Sequence, residues 1–332
     1  MKTTRRFMIV AVVALATVSG AAFAQQSAAP AQVRIEPIRG HLYLLAGAGG
    51  NIIASIGPDG ILLVDSGLKP NAGKVLAALD QLNREIANRG GLPVTSTIPP
   101  KPIRYIINTH LHPDHTGGNE EISKAGKTIT GGNVTGEFGD AAEGATIVAQ
   151  QRVLDRMGEI KPELPFAALP SDTYHDDKKL SHFFNGEAVI LMHQPAAHTD
   201  GDSIVYFRGS DVVATGDIFT TTSYPFIDLA NGGSIQGEID ALNRIMDLAV
   251  PEFRTEGGTL IVPGHGRICD IADVAYYRDM VTIIRDRVQN LMKKDMSLDQ
   301  VKAAKLTADW DPRYGSGERF IEAVYKSLSN KK

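Results

Sequence analysis

One short stretch of the chain concentrates the side chains that bind metal ions. Residues 108–118 read NTHLHPDHTGG and place three histidines and an aspartate within six positions. In an extended or tightly turned loop, His110 and His112 point the same way, while Asp114 and His115 follow at a different angle. Neutral imidazole and carboxylate suit a divalent metal ion of the zinc type, and burying them without metal would leave polar groups unpaired. The stretch therefore predicts two neighbouring groups of metal ligands on one loop.

The pattern HxHxDH in this stretch resembles the signature of the metallo-β-lactamase-fold hydrolases. The resemblance runs from about residue 33 to the region of His265. It implies an α/β fold, a four-layer αβ/βα sandwich in which two β-sheets pack face to face with helices outside. The apolar run at residues 103–107 indicates a buried strand that delivers the metal loop to the edge of a sheet.

Three further ligand residues are implied by the resemblance, each in a glycine-containing loop after an apolar strand. His198 in AAHTDGD would join the first two histidines of the metal loop, and His265 in VPGHG would join its aspartate and third histidine. Asp217 in ATGDIF would bridge the two metal ions. Taken alone, Asp217 could instead accept hydrogen bonds from backbone amides, and the Gly-His-Gly around His265 could be a plain turn.

Other acidic residues are expected to support the ligands rather than to bind metal. Asp65, at the end of an early strand, resembles the family's aspartate that orients the metal loop through hydrogen bonds. Asp200 and Asp202 flank Gly201 in the loop after His198. We expect both to hold that turn and the ligand next to it.

A long loop at residues 219–234 offers candidate substrate contacts. Tyr224, Phe226 and Ile227 would make it an apolar lid over the site, although the same residues could equally pack onto the sheet. Tyr224 is also a candidate donor to the oxyanion that forms during hydrolysis.

The chemistry that the resemblance implies is hydrolysis by two zinc ions. In this family a metal-bridging hydroxide attacks the substrate, and Asp114 and Asp217 are candidates for carrying the proton to the leaving group. His112 stands where the oxygen-reducing di-iron relatives have glutamate, and Asp217 stands where the best-known β-lactamases have cysteine. The ligand set is thus similar to that of glyoxalase II. We expect a small ester, lactone, thioester or amide as the substrate.

Two other functions stay open at this point. One is a β-lactamase that hydrolyses β-lactam antibiotics. The other, from a different class, is a non-catalytic periplasmic protein that binds a metal or a ligand and has kept the fold. A complete ligand set with a bridging aspartate argues against the second, because sequestration does not need an open pair of metal ions that holds water.

The N-terminal segment is typical of an exported protein. Basic residues precede an apolar core at residues 7–18 and an Ala-Phe-Ala cleavage site, so residues 1–24 are predicted to be a signal peptide and the mature chain periplasmic. A membrane anchor is disfavoured because the apolar core is too short to span a bilayer comfortably and the cleavage site is well formed. No other apolar run reaches membrane-spanning length, so we expect no stable membrane insertion after cleavage. Residues 25–32 are predicted to form a disordered leader, and residues 33–332 a single catalytic domain that ends in helices.

Composition narrows the range of partners. The net charge is −4 and no cluster of lysine or arginine stands out, which argues against a nucleic-acid partner and favours a small-molecule substrate. The single cysteine, Cys269, allows no internal disulfide, and we interpret it as a small buried residue. The oligomeric state stays open.

Short β-rich runs separated by glycine and proline predict an antiparallel meander over residues 34–64, followed by an amphipathic helix over residues 71–87. Residues 145–157 are predicted to be helical by their period, after a strand at residues 127–130. The remaining predicted strands and helices cover residues 182–184, 188–193, 203–208, 211–215, 235–248, 259–262, 271–293, 298–305 and 317–327.

Overall fold

A computed structural model describes residues 32–89, 101–128, 144–180, 183–251 and 257–329. The predicted signal peptide, and all but the last residue of the predicted leader, lie outside these residues. Gln32–Lys332 cluster as one compact unit. None of the helices in the described part of the chain combines the length and the apolar character that crossing a bilayer requires.

The first half of the described chain forms a mixed β-sheet whose strands follow one another in chain order. Its strands are β1 (Arg34–Arg39), β2 (Leu42–Ala46), β3 (Ile52–Gly57), β4 (Gly60–Val64), β5 (Ile103–Ile107), β6 (Thr146–Gln150) and β7 (Asp172–Tyr174). The first four strands pair antiparallel, which is the predicted meander. The strands from β4 to β7 pair parallel.

The second half contributes a smaller sheet, ordered β12-β11-β10-β9-β8. Its strands are β8 (Lys178–Lys179), β9 (Val189–Gln194), β10 (Asp202–Phe207), β11 (Val212–Ala214) and β12 (Leu260–Val262). Only the β11–β12 pair among these is parallel. The C-terminal ends of β11 and β12 therefore lie at the same edge of the sheet.

The α-helices of the described residues lie between and after these strands. They are α1 (Ala72–Arg89), α2 (Pro113–Thr116), α3 (Asn119–Lys124), α4 (Gln151–Glu159), α5 (Ile235–Leu248), α6 (Ile271–Met292), α7 (Leu298–Ala303), α8 (Asp311–Tyr314) and α9 (Glu318–Ser329).

The alternation of side chains along each strand creates the layers. In β4, Leu62 and Val64 join the apolar core between the two sheets, while Ile61 and Leu63 join the core under α1. In the same way, Ile204 of β10 packs in the core under α5 and α6. Because successive side chains of a strand point to opposite faces, each sheet is covered on both sides. The predicted four-layer αβ/βα sandwich is confirmed.

The prediction of one helix over residues 145–157 is wrong in its first part. The chain forms β6 before α4 starts at Gln151. Ile147 and Val148 are buried on opposite faces of the sheet, and β6 pairs with strands on both sides. Burial between neighbouring strands here outweighs the helical period of the sequence. The side chain of Gln150 then caps α4 by accepting a hydrogen bond from the backbone N–H of Arg152.

Two short predicted strands contribute isolated β-bridges in the part of the chain that the structure describes. Lys127 forms one with Gly144, and residues 129–130 of that predicted strand lie outside the described part. Phe184 forms another with Glu187, and residue 182 also lies outside it.

Candidate metal centre

The metal loop changes direction because a proline starts a one-turn helix within it. His112 is the extended N-cap residue of α2, and Pro113 is its first residue. Proline is favoured at that position because its missing N–H would have no partner there. The chain is extended at His112 and helical at Asp114 and His115, which turns the two pairs of ligands in different directions.

The first group of ligands, called site one, consists of His110, His112, His198 and Asp217. Nε2 of His198 lies 2.9 Å from Nδ1 of His112 and 4.0 Å from Oδ2 of Asp217. Nε2 of His110 lies 3.9 Å from the same carboxylate oxygen. Ligands about 2.0–2.2 Å from a tetrahedral zinc ion are about 3.4 Å from one another. The separations in site one, 2.9, 3.9 and 4.0 Å, lie on both sides of the ligand-to-ligand distance of about 3.4 Å.

The second group, called site two, consists of Asp114, His115, His265 and Asp217. Nε2 of His265 lies 3.0 Å from Oδ2 of Asp114 and 3.5 Å from Oδ1 of Asp217. Nε2 of His115 lies 3.6 Å and 3.1 Å from the same two oxygens. These four separations also fit the spacing of ligands around one zinc ion.

Asp217 belongs to both groups. It lies in a short turn, Gly216–Ile218, directly after β11, and it directs Oδ2 toward site one and Oδ1 toward site two. A single carboxylate in this position can bridge two metal ions. The structure brings all seven predicted ligand residues together, in the two groups that the resemblance implies.

The chemistry of the ligand atoms fits metal ions. Nε2 of His110, Nε2 of His115 and Oδ1 of Asp217 are buried and have no hydrogen-bond partner among the described residues. Leaving such atoms unpaired in the interior is costly, whereas a metal ion at each site would accept their lone pairs. The residues present therefore fit a pair of divalent ions.

The comparison with known sequence families decides the assignment. The family described as the metallo-beta-lactamase superfamily matches residues 47–265, a stretch that contains all seven ligand residues. The chain belongs to this superfamily.

Curated members of the superfamily are similar to the chain at low identity. A linear primary-alkylsulfatase from Pseudomonas sp. (strain ATCC 19151) is 21% identical over 306 residues, which cover 81% of this chain and 54% of that protein. A hydroxyacylglutathione hydrolase from Pelagibacter ubique (strain HTCC1062) is 33% identical over 115 residues, 35% of this chain and 36% of that protein. The chain spans about half the length of the alkylsulfatase.

Solved structures of the superfamily share the fold. The stereoselective inverting sec-alkylsulfatase Pisa1 from Pseudomonas sp. superimposes with a TM-score of 0.63 at 17% identity, over 89% of this chain and 50% of that chain. The DIM-1 metallo-beta-lactamase superimposes with a TM-score of 0.51 at 15% identity, over 76% of this chain and 98% of that chain.

Asp65 holds the metal loop of this superfamily member, as the sequence predicts. Its Oδ1 accepts the backbone N–H of Thr109 at 2.8 Å, and its Oδ2 accepts the Thr109 hydroxyl at 2.8 Å. Oδ2 also lies 2.7 Å from Nδ1 of His115, so that ring presents Nε2 to site two. Asp65 is buried and has a φ of 66°, a left-handed conformation that aspartate tolerates better than most residues. This strained position fixes a charged acceptor beneath the loop.

Asp228 is a contact that sequence reasoning missed. Its Oδ2 lies 2.9 Å from Nε2 of His112, the ring atom that faces away from the metal position. The residue lies within the loop predicted to carry substrate contacts. It is an acidic residue that comes close to the ligands only in the folded structure, so the sequence alone does not mark it. Spacing along the chain cannot reveal such a pairing across 116 residues.

Two glycines allow other segments to approach the ligands closely. A Cβ atom on Gly50 would overlap the imidazole ring of His115, and one on Gly264 would overlap Oδ1 of Asp217. The backbone of Gly50 also donates a hydrogen bond to the carbonyl of Asp114, at 2.9 Å. Alanine at either position would displace a ligand.

The prediction that Tyr224 contacts substrate is wrong. The side chain is buried, with its ring stacked 5.8 Å from Phe320. Its hydroxyl donates to the carboxylate of Asp311 at 2.9 Å and lies 3.1 Å from the carbonyl of Thr307. A buried tyrosine needs a partner for its hydroxyl, and the C-terminal helices supply it. Tyr224 anchors the loop instead of facing the metal centre.

Phe226 of the same loop does lie beside the metal centre. Its ring centroid is 5.8 Å from that of His112 and 5.7 Å from that of His198. The side chain is 62% exposed, whereas the two imidazoles beneath it are largely buried. An exposed aromatic face next to two ligands can receive an apolar part of a substrate.

The two aspartates after His198 differ in their roles. Asp202 accepts hydrogen bonds from the backbone N–H and the hydroxyl of Thr199, both at 2.7 Å, and so closes the turn next to His198 as predicted. Asp200 pairs with Arg156 at 2.8 Å, which ties the turn to α4. The expectation that its carboxylate supports a ligand is wrong, because among the described residues this carboxylate pairs with the Arg156 guanidinium and with no ligand side chain.

The ring nitrogens of site one favour metal over protons. Burial lowers the pKa of His110 well below its usual value and lowers the pKa of His198 to about 4. Both imidazoles are therefore neutral at neutral pH.

In site two, burial would lower the pKa of His115, but the carboxylates of Asp217 and Asp65 raise it well above its usual value. The carboxylates of Asp114 and Asp217, which lie 3.0 Å and 3.5 Å from Nε2 of His265, raise the pKa of that ring to about 9. A metal ion entering site two must displace these protons, so higher pH favours its binding.

A further carboxyl group lies in the core behind the centre. Glu238 of α5 is fully buried, and neither of its carboxyl oxygens has a hydrogen-bond partner among the described residues. Burial raises its pKa well above 4.5, and the nearby carboxylates of Asp202 and Asp217 raise it further. The folded protein therefore favours the protonated form of Glu238 more strongly than the unfolded chain does.

We expect Glu238→Gln to stabilise the protein above about pH 4.5 and to leave its stability unchanged below that pH. The folded state binds the Glu238 proton more tightly than the unfolded chain does, so the free energy of unfolding of the wild type falls as pH rises from 4.5 toward the folded pKa. Glutamine removes this dependence. Chemical denaturation of both proteins at pH 4, 6 and 8, at one zinc concentration, measures the difference. If the free energies of unfolding of the two proteins differed by the same amount at pH 4, 6 and 8, the raised pKa of Glu238 would be contradicted.

Proposed function

We propose that this chain is a hydrolase that uses two zinc ions to cleave a small ester, lactone, thioester or amide. The observation that carries the proposal is the placement of Asp217, whose two carboxylate oxygens face two separate groups of histidine and aspartate ligands. Zinc binds such nitrogen and oxygen ligands, and paired metal sites are typical of hydrolytic enzymes. Metal ions bound there would lower the pKa of a water molecule and polarise the scissile group.

Asp217 and Asp114 have different roles in the proposed reaction. Both oxygens of Asp217 face ligand groups and its side chain is only 17% exposed, so we assign it to bridging. The side chain of Asp114 is 31% exposed and has one oxygen, Oδ2, next to His265. Its other oxygen can exchange a proton with a leaving group at the mouth of the site. We therefore assign the transfer of the proton to Asp114.

The position of Phe226 supports a substrate with an apolar group beside the scissile bond. The ring is exposed and lies against two ligands of site one, so a substrate bound at the metals would cover it. Burying apolar surface on an aromatic face contributes free energy of binding in proportion to the area removed from water.

A second candidate is the hydrolysis of sulfate esters. The alkylsulfatase similarity covers most of the chain, and the alkylsulfatase fold superimposes on nearly all of it. β-Lactam hydrolysis is a third, since the DIM-1 enzyme shares the fold over almost its whole length. A non-catalytic binding protein is disfavoured because a bridging carboxylate and an exposed aromatic face serve a reaction better than sequestration. The basic and apolar pattern of residues 1–24 supports a periplasmic location.

We expect the zinc-loaded protein to hydrolyse one substrate class in a panel of aryl and alkyl esters, a lactone, a thioester, a chromogenic cephalosporin, a phosphodiester and an alkyl sulfate. Asp217→Ala should abolish that activity, by a factor of at least about 10³, because both metal positions lose a ligand. Initial rates and zinc content are measured on the same samples.

Cys269→Ala is the matched control for this experiment. Cys269 is buried, and its thiol donates to the carbonyl of Arg267 at 3.2 Å, away from both groups of ligands. The variant should keep its zinc and its rate near the wild-type values. Turnover of no substrate by the zinc-loaded wild type, or full activity of Asp217→Ala, would refute the proposed function.

Phe226→Ala should raise KM for the preferred substrate about tenfold, the equivalent of about 1.4 kcal/mol, with little change in kcat or zinc content. The backbone carbonyl of Phe226, which contacts His198, is kept in this variant. Phe166→Ala is the control, because Phe166 is the more exposed ring, at 87%, and lies in a separate turn. An unchanged KM across substrates of increasing apolar size would show that the ring does not contact the substrate.

A further inference from the structure

One three-residue segment of the long loop holds two of the three histidines of site one. The backbone carbonyl of Phe226 accepts a hydrogen bond from Nδ1 of His198. Two residues later, the carboxylate of Asp228 lies 2.9 Å from Nε2 of His112. The N–H of Asp228 also donates to the carbonyl of His198, at 2.9 Å. The segment is thus attached to both rings from the side opposite the metal position.

The histidines of site one do not present the same ring nitrogen. His110 and His198 use Nδ1 for contacts with Thr109 and Phe226, which leaves Nε2 for the metal. His112 is reversed: its Nδ1 lies 2.9 Å from Nε2 of His198, inside site one, and its Nε2 lies next to Asp228. A neutral imidazole carries one proton, and the nitrogen without the proton is the one that can bind metal. His112 can therefore serve site one only as the tautomer protonated on Nε2.

We propose that Asp228 is a positioning residue that fixes His112 as the tautomer protonated on Nε2 and so keeps its Nδ1 available to the metal ion of site one. The inference rests on the proposed function, because it concerns how the chain binds the first of its two zinc ions. A carboxylate accepts a hydrogen bond but cannot donate one, so it selects the ring tautomer with the proton facing it.

The same device occurs in site two. There the carboxylate of Asp65 lies 2.7 Å from Nδ1 of His115 and leaves Nε2 for the metal. The other ligand histidines with a described partner face a hydroxyl or a backbone carbonyl. Each metal position thus has one histidine held by a charged acceptor, and charged acceptors make the stronger hydrogen bonds.

The two oxygens of Asp228 have separate tasks, which makes the proposal testable. Oδ1 accepts the backbone N–H groups of Ala230 and Asn231, both at 3.1 Å, and caps the turn that follows. Oδ2 faces His112 and accepts the side-chain amide of Asn231 at 2.7 Å. Asparagine at position 228 would keep the capping oxygen, since asparagine caps turns as well as aspartate does. Its NH₂ group would then stand where Oδ2 faces His112.

A donor at that position reverses the preference of the ring. The amide of Asp228→Asn would donate to Nε2 of His112, so the proton would move to Nδ1 and point into site one. Nδ1 could then bind metal only if the proton returned to Nε2, which would break the hydrogen bond from the asparagine amide. A change in such an outer contact typically costs about 10- to 100-fold in metal affinity.

We expect Asp228→Asn and Asp228→Ala to weaken one of the two zinc-binding steps by about 10- to 100-fold, measured by competition with a chromophoric chelator. Asp240→Asn is the matched control: it removes the same charge from an exposed position on α5 and should bind zinc as the wild type does. Thermal unfolding of all variants in excess zinc checks that the fold is kept. In the wild type, two-bond ¹H–¹⁵N spectra of the histidine rings should show His112 protonated on Nε2.

The outcomes separate the possible roles. If Asp228 only caps the turn, Asp228→Asn binds zinc as the wild type does and only Asp228→Ala is weakened, which overturns the proposal. A wild-type His112 without a proton on Nε2 overturns it independently of any variant. A wild-type chain that binds no zinc overturns the proposed function as well, whereas two zinc ions with an unaffected Asp228→Asn overturn this inference alone.

Discussion

The arrangement of the centre depends on one carboxylate, that of Asp217. It directs an oxygen toward each group of ligands, and without it site one and site two would be two unconnected clusters. Its place depends on the parallel pair of β11 and β12, because the turn after β11 carries Asp217 and the loop after β12 carries His265. Gly264 in that loop leaves no side chain between them. The parallel pair in the second sheet thus places Asp217 and His265 side by side, 3.5 Å apart between Oδ1 and Nε2.

The ligands are in turn held by groups from distant parts of the chain. Asp65 comes from the end of the first meander and supports His115, while Asp228 comes from the long loop and supports His112. Orienting the rings before metal binds reduces the entropy that binding would otherwise cost. The loop that supports His112 also carries the exposed ring of Phe226. In the proposed function, the segment from Phe226 to Asp228 would therefore contact both the substrate and two ligands of site one.

Much of the fold and the ligand set could be predicted because both depend on local patterns in the sequence. The meander shows as short β-rich runs between turn residues, and the ligands show as histidine and aspartate directly after apolar strands. The failures have a common cause, which is contact between residues far apart in the chain. β6 is a strand because strands on either side pair with it. Tyr224 turns to the C-terminal helices because Asp311 and Thr307 accept its hydroxyl, and Asp200 turns to Arg156. Asp228 meets His112 only after folding.

The proposed centre requires two zinc ions that share the carboxylate of Asp217. Elemental analysis of the purified protein, dialysed against metal-free buffer, tests it most directly. We expect close to two zinc ions per chain. A chain that retains no metal, or that retains iron in place of zinc, would contradict it.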